Sequence, residues 1–196
     1  TEIGVAAELE YYMKKNGSEK PSFDTICVSG TASSRPHGVP RNVRLESGFL
    51  TMDYGAMVNG YHSDMTRTIV IGKADEDMKK LYNTVLKAQL AAIDAITEGA
   101  KNADMDKVAR DVIDNAGYKG YFSHSLGHGV GLEIHEQPGL HARMGDATLK
   151  AGQIVTAEPG IYIEGKYGCR IEDMILVTKG GKRDLTDCPK ELIEVC

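Results

Sequence analysis

The spacing of apolar residues changes period several times along this chain, and each change predicts an element. Val5, Leu9 and Tyr12 recur at helical spacing over residues 2–15, and Asn16-Gly17 supplies a stop. Phe23 to Val28 reads as a short strand, followed by a loop rich in Ser, Gly and Pro. From Leu50 to Val70 the period falls to two. These residues predict two strands joined at Asn59-Gly60, because a tight hairpin turn needs positive φ at both central residues. A turn there sets Val58 opposite Tyr61 and, further along, Asp64 opposite Gly55. The helical period returns at residues 74–96, where Met78, Leu81, Tyr82, Val85, Leu86, Ala92, Ile93 and Ile96 give a broad apolar face. Acidic residues in the first turn suit the helix dipole. A second helix is predicted at 104–116, carrying Met105, Val108, Ala109, Val112 and Ile113 and ending at Gly117. Two β-rich runs within Gln153 to Thr178 then flank a turn between Gly165 and Gly168. Strands before and after a helical pair predict one domain, 1–196, of α+β class.

Composition narrows this picture slightly. The 196 residues suffice for one domain with a sizeable core, or two small ones. Hydrophobic content of 41% with 26% charged residues is ordinary for a soluble globular protein. A net charge of −5 argues against nucleic acid or an anionic membrane as the main partner. No apolar run approaches the roughly 18 residues of a membrane span. Cys27, Cys169, Cys188 and Cys196 form no C-x-x-C pair, so free thiols in a reducing, cytoplasmic setting are expected. Asn16-Gly17-Ser18 matches a glycosylation sequon, but a helix-ending turn is the preferred reading. The chain begins at Thr1 without an initiator Met, which suggests a trimmed fragment.

The candidate chemistry is carboxylate and imidazole. Asp53 shares side-chain parity with Gly55, so the predicted register makes Asp53 and Asp64 diagonal neighbours, roughly 5–8 Å apart at Cβ. Such a pair is either solvated on an exposed face or held together by a cation or a shared proton. His37 stands between Pro36 and Gly38-Val39-Pro40; it is an exposed loop residue or a functional one. In Phe122 to Pro138, Gly127, Gly129 and Gly131 make a helix costly, at close to 1 kcal/mol each. As a strand, this stretch sets His124, Leu126, His128, Val130 and Leu132 on one face, with glycines opposite to admit another backbone or a ligand. His135 has the other parity and reaches the same space only if the chain bends. Glu158, before Pro159-Gly160, and Glu172, beside Ile171, lie within apolar runs, where a carboxylate is costly unless paired or metal-bound. A bulge or bend is expected at Pro159, so the register of Glu158 against Glu172 stays open. A salt bridge from Arg170 to one of them is the alternative to metal.

Together, Asp53, Asp64, His128, Glu158 and Glu172 could balance two divalent cations. An oxygen-rich set with one nitrogen and no thiolate suits Mn²⁺, and also Co²⁺, Fe²⁺ or Zn²⁺. Two such ions about 3.5–4 Å apart activate a shared water for hydrolysis of an unreactive bond such as an amide. No G-x-S-x-G elbow, phosphate-binding loop or dinucleotide fingerprint is present, so serine hydrolase, NTPase and dehydrogenase readings lack support.

The segments MDYGAMVNGYHSDMTRT, HSLGHGVGLEIHEQP, TAEPGIYI and CRIEDMILVT resemble the motif series of the metallopeptidase family with the pita-bread fold. The D-M-T-R-T, H-S-L-G-H and R-I-E-D forms are more similar to Xaa-Pro aminopeptidases and prolidases than to methionine aminopeptidases. The resemblance implies a curved antiparallel sheet with helices packed outside. It implies that Asp53 binds one metal, that Asp64 and Glu172 bridge both, and that His128 and Glu158 complete the other shell. Glu158 would also handle the proton of the attacking water. His37 and His135 match positions that contact the substrate amide and its tetrahedral intermediate, and His124 one near the substrate proline. Arg170 matches an arginine that orients ligand carboxylates. Tyr54, His62 and His141 receive no role. The implied partner is a peptide with proline at its second position, and the implied full-length protein is a homo-oligomer. The family's preceding helix and separate N-terminal domain are absent from the chain. The alternatives are a methionine aminopeptidase and a non-catalytic pita-bread module that binds peptides or proteins.

Overall fold

A computed structural model describes all residues, 1–196. Helix α1 spans Glu2–Lys15, and the Thr1 hydroxyl caps it by accepting the Gly4 N–H at 3.0 Å. Asn16 ends it as a turn: its side-chain amide donates to Tyr12 O, and Gly17 takes φ 104°. Strand β1 (Lys20–Pro21) pairs with β4 (Ala56–Val58), whereas β2 (Ile26–Ser29) pairs with β3 (Gly48–Tyr54). Phe23 to Thr25 must cross between those two sheets. That is why the strand predicted from Phe23 begins only at Ile26.

The predicted hairpin keeps its register but not its continuity. Asn59 (φ 52°) and Gly60 (φ 77°) form the turn, and Val58 faces Tyr61 of β5 (Tyr61–His62). The same register resumes where Tyr54 faces Met65 and runs to Gly48 opposite Ile71 at the end of β6 (Met65–Ile71). Between these stretches the ladder breaks at Gly55 and Ser63-Asp64. A Cβ on Gly55 would collide with the Ser63 carbonyl, so glycine is what lets the second strand fold over the first. Side chains take over part of the pairing there: Ala56 N–H donates to Ser63 Oγ at 2.8 Å, and Ser63 N–H is shared between Ala56 O at 2.9 Å and Ser22 Oγ at 3.1 Å.

Helix α2 (Glu76–Ala95) starts at Asp75, whose carboxylate accepts the Met78 N–H at 2.7 Å. Helix α3 (Asn102–Ile113) widens into a last turn over Asp114–Tyr118, with Gly117 at φ 93°. Both lie close to their predicted bounds. Their apolar faces bury Leu81, Tyr82, Val85, Met105, Ala109 and Ile113 against Val155, Ala157, Ile175 and Val177. Burial of each larger side chain stabilises the fold by about 1.5–3 kcal/mol.

Strand β7 is short (Gly127–Gly129) and lies between β8 (Glu136–Leu140) and β9 (Ile154–Ala157). A Cβ on Gly127 would meet the Thr156 carbonyl, and one on Gly129 would sit 2.6 Å from the Gln137 carbonyl. The glycines therefore admit neighbouring backbones, one of the two occupants predicted. Strands β10 (Gly160–Ile163) and β11 (Tyr167–Arg170) form the tip of the second hairpin, and β9 with β12 (Asp173–Thr178) forms its base. Glu158-Pro159 and Ile171-Glu172 interrupt this ladder, as the proline predicts. Strand β13 (Gly181–Asp184) completes a sheet ordered β13-β12-β9-β7-β8, and β14 (Glu194–Val195) joins β6 in the order β14-β6-β3-β2. A bridge between Thr66 and Glu172 links the two hairpins at their breaks. Curved, mainly antiparallel sheets with α2 and α3 packed outside give the pita-bread arrangement.

Glu2 fixes the approach to this core. It is fully buried and accepts five hydrogen bonds, from Ser29 N–H and hydroxyl and from the Arg41 backbone and guanidinium, at 2.6–2.9 Å. Burial pushes its carboxyl up, but these donors overcome that and hold it at about 2, below the ordinary 4.5. The stability it contributes is therefore present above about pH 4.5 and lost as pH falls toward 2. Glu2→Gln is expected to cost about 2 kcal/mol at pH 7, and that deficit should shrink at low pH. Urea unfolding at pH 7 and pH 3 measures both.

Candidate metal centre and active site

The two interrupted hairpins and β7 enclose a cavity of about 650 Å³, lined by Asp53, Asp64, Glu158, Glu172, Arg170 and five histidines. A wider groove of about 880 Å³ runs along α1, but it is mostly apolar and holds no cluster of metal-ligating groups.

Each acidic side chain enters the cavity at or beside a break in a ladder. Donor atoms of Asp64, His128 and Glu172 lie within 4.8 Å of one another. His128 Nε2 is 3.5 Å from Asp64 Oδ2 and 3.5 Å from Glu158 Oε1. His128 Nδ1 lies 3.0 Å from Gly129 O and donates to it, which leaves the Nε2 lone pair turned toward the acids. Glu172 Oε2 accepts from Thr66 Oγ1 at 2.6 Å, and Glu158 Oε1 from Thr156 Oγ1 at 3.3 Å. Asp53 Oδ2 accepts from Arg170 Nη2 at 2.6 Å, while Asp53 Oδ1 is buried with no partner.

Arg170 is not the counter-ion of Glu158 or Glu172 that local sequence allowed. Its guanidinium bonds Asp53, Thr66 Oγ1, the Tyr162 hydroxyl and Pro36 O. One bonded cation therefore serves four carboxylates. Burial pushes the Asp64 carboxyl well above its usual range, and Asp53 and Glu158 push it further. Glu172 is raised likewise, by burial and then by Asp64, Glu158 and Asp53. Burial lifts Glu158 to about 8 against the pull of Arg170. These acids need either protons or cations. The donor set, the partnerless Asp53 Oδ1 and the free His128 lone pair fit oxygen-seeking divalent ions.

The remaining histidines differ in freedom. His37 and His135 are exposed at the cavity wall, with the His135 ring 4.3 Å from that of His128. His124 is half-buried and saturated: Nδ1 donates to Ser125 O at 2.9 Å, and Nε2 accepts from the Tyr162 hydroxyl at 2.8 Å. Burial first, then the Arg170 charge, lowers its pKa to about 3, so it is a neutral ring. The shared face predicted for His124, Leu126 and His128 is not kept. Regular strand extends only over Gly127–Gly129, so Leu126 packs in the core while both histidines line the cavity. Tyr162, Thr66 and Thr156 also hold the site together, although their sequence surroundings read as ordinary strand. Thr66 was the findable one, because the hairpin register sets it opposite Asp53.

Fold and cavity together define a pita-bread protein with a carboxylate-rich, cation-seeking centre. The chain belongs to metallopeptidase family M24, which it matches over residues 1–179. The Xaa-Pro dipeptidase of Pyrococcus furiosus is 49% identical over 190 residues, covering 96% of this chain and 54% of that protein. An uncharacterized peptidase of Bacillus subtilis is 47% identical over 194 residues, covering 98% and 55%. Among solved structures, an Xaa-Pro dipeptidase from Bacillus anthracis superposes with a TM-score of 0.97 at 49% identity, covering 100% of this chain and 55% of that one. X-Pro aminopeptidase from Thermotoga maritima gives 0.96 at 41% identity, covering 100% and 55%. The chain thus spans about half the length of the curated relatives it matches.

The raised carboxyls make the cation-free protein pH-sensitive. Groups lifted above their unfolded values stabilise below about pH 4.5, and that stability is lost as pH rises through about 8. With EDTA present, the urea midpoint is expected to fall between pH 5 and pH 8.5. Saturating Mn²⁺ should close most of that gap. Equal midpoints in EDTA would contradict the electrostatic account.

Proposed function

We propose that this chain is the catalytic part of a two-cation exopeptidase that cleaves between an N-terminal residue and a following proline. The observation that carries the reading is the convergence of four carboxylates and one imidazole, with a partnerless buried oxygen on Asp53, in one cavity. In it Asp53, Asp64, His128, Glu158 and Glu172 hold two divalent ions, Mn²⁺ first and Co²⁺, Fe²⁺ or Zn²⁺ as substitutes. Such ions supply Lewis acidity toward a water and an amide carbonyl.

The chain's own groups do the rest. Glu158 accepts the proton released by the attacking water and delivers it to the leaving proline nitrogen. Its raised affinity for a proton suits that double duty. His37 and His135, exposed on the wall, donate to the substrate carbonyl and to the oxyanion that develops there. His124 has no free N–H or lone pair, so it offers the substrate proline a ring surface rather than a hydrogen bond. Arg170 holds Asp53 in place and, through Pro36 O, the start of the His37 loop. The site works in a cytoplasmic, homo-oligomeric parent protein.

In the Mn²⁺-loaded full-length protein, X-Pro dipeptides or X-Pro-Pro tripeptides should be cleaved. Glu158→Gln is expected to lower kcat by about 10²–10⁴-fold. Release of Met from Met-Ala with no X-Pro turnover would replace this reading with that of a methionine aminopeptidase.

A further inference from the structure

Arg67 lies outside the cavity on β6, next to Thr66, yet its guanidinium is buried and all five of its N–H groups are used. Nε donates to Pro189 O at 2.9 Å. Nη1 donates to Thr66 O at 2.9 Å and to Glu172 O at 2.8 Å. Nη2 donates to Asp173 Oδ1 at 2.7 Å and to Cys188 O at 3.0 Å. Glu172 sits in the gap between β11 and β12, where the regular ladder is interrupted. Its N–H goes to Thr66 O at 3.1 Å, its carbonyl to Arg67 and its carboxylate to Thr66 Oγ1. Arg67 therefore takes the place of the absent strand partner, and it grips both peptides of the Thr66–Glu172 bridge at once.

We infer that Arg67 is a positioning residue for the cation centre, fixing the Glu172 carboxylate through its peptide while strapping Cys188-Pro189 behind the bridge. This rests on the reading of Glu172 as a cation ligand. Lysine cannot replace it, because an ammonium lacks the planar fork that reaches five acceptors. Lys190 supplies the control. It bonds Asp173 Oδ2 at 2.8 Å from the other side and touches neither the Thr66 nor the Glu172 peptide.

The test is Mn²⁺ titration calorimetry on the full-length protein and on Arg67→Lys, Arg67→Gln and Lys190→Gln, with folding checked by circular dichroism. Groups that orient metal ligands typically affect metal affinity about 10–100-fold, and a loss in that range is expected for either folded Arg67 variant. Lys190→Gln should stay within about twofold of wild type while melting earlier. Wild-type affinity in a folded Arg67 variant would overturn the inference and leave the metal reading standing. So would failure of both Arg67 variants to fold, since Arg67 would then serve folding alone. A wild-type protein that binds no Mn²⁺ would remove the metal reading and the inference together.

Discussion

Four carboxylates converge in one cavity around a single bonded guanidinium, and their repulsion sets the terms for everything around them. At about 4 Å, two like charges repel by about 4 kcal/mol at the effective dielectric of a protein interior. Three of the acids respond by holding protons far above their usual range. A fold keeps such a cluster when something positive occupies it. The partnerless Asp53 oxygen and the outward Nε2 of His128 face the space where that charge would sit. Membership of a metallopeptidase family fits this electrostatic need.

The backbone meets the need by breaking its ladders in register. Each hairpin pairs regularly, stops for about two residues, and resumes without slipping. The stops free Asp64, Glu158 and Glu172 from regular pairing, so their side chains converge instead of alternating. Backbone donors at the stops are taken up by a side chain or by the other hairpin, as Ala56 N–H is by Ser63 Oγ and Glu172 N–H by Thr66 O. Thr66 stands at the centre of this arrangement. Its carbonyl, hydroxyl and neighbouring Arg67 tie the hairpins together, and Arg170 extends the tie to Asp53, Tyr162 and the His37 loop.

Much of this was legible in the sequence for local reasons. Asn59-Gly60 fixed a register that holds to Ile71, and helical periodicity placed α2 and α3 within a few residues. Motif resemblance groups Asp53, Asp64, Glu158 and Glu172, four of the acids that line the cavity, and leaves out Glu136 at its wall. Long-range facts were not legible. Arg170 could pair locally with Glu172 or reach across 117 positions to Asp53, and only the packing of two hairpins decides for Asp53. Parity reasoning set Leu126 beside His128, and it failed because β7 is regular for three residues only. Tyr162 reads as an ordinary strand aromatic until its hydroxyl meets His124 and Arg170.

Cations taking the place of protons among these acids would relieve the repulsion. Anomalous diffraction at the manganese edge, from crystals of the full-length protein soaked in Mn²⁺, addresses that directly. Two peaks in the cavity, both within bonding distance of Asp64 and Glu172, are the expected result. No peak there, with the acids closed on one another, would contradict the account.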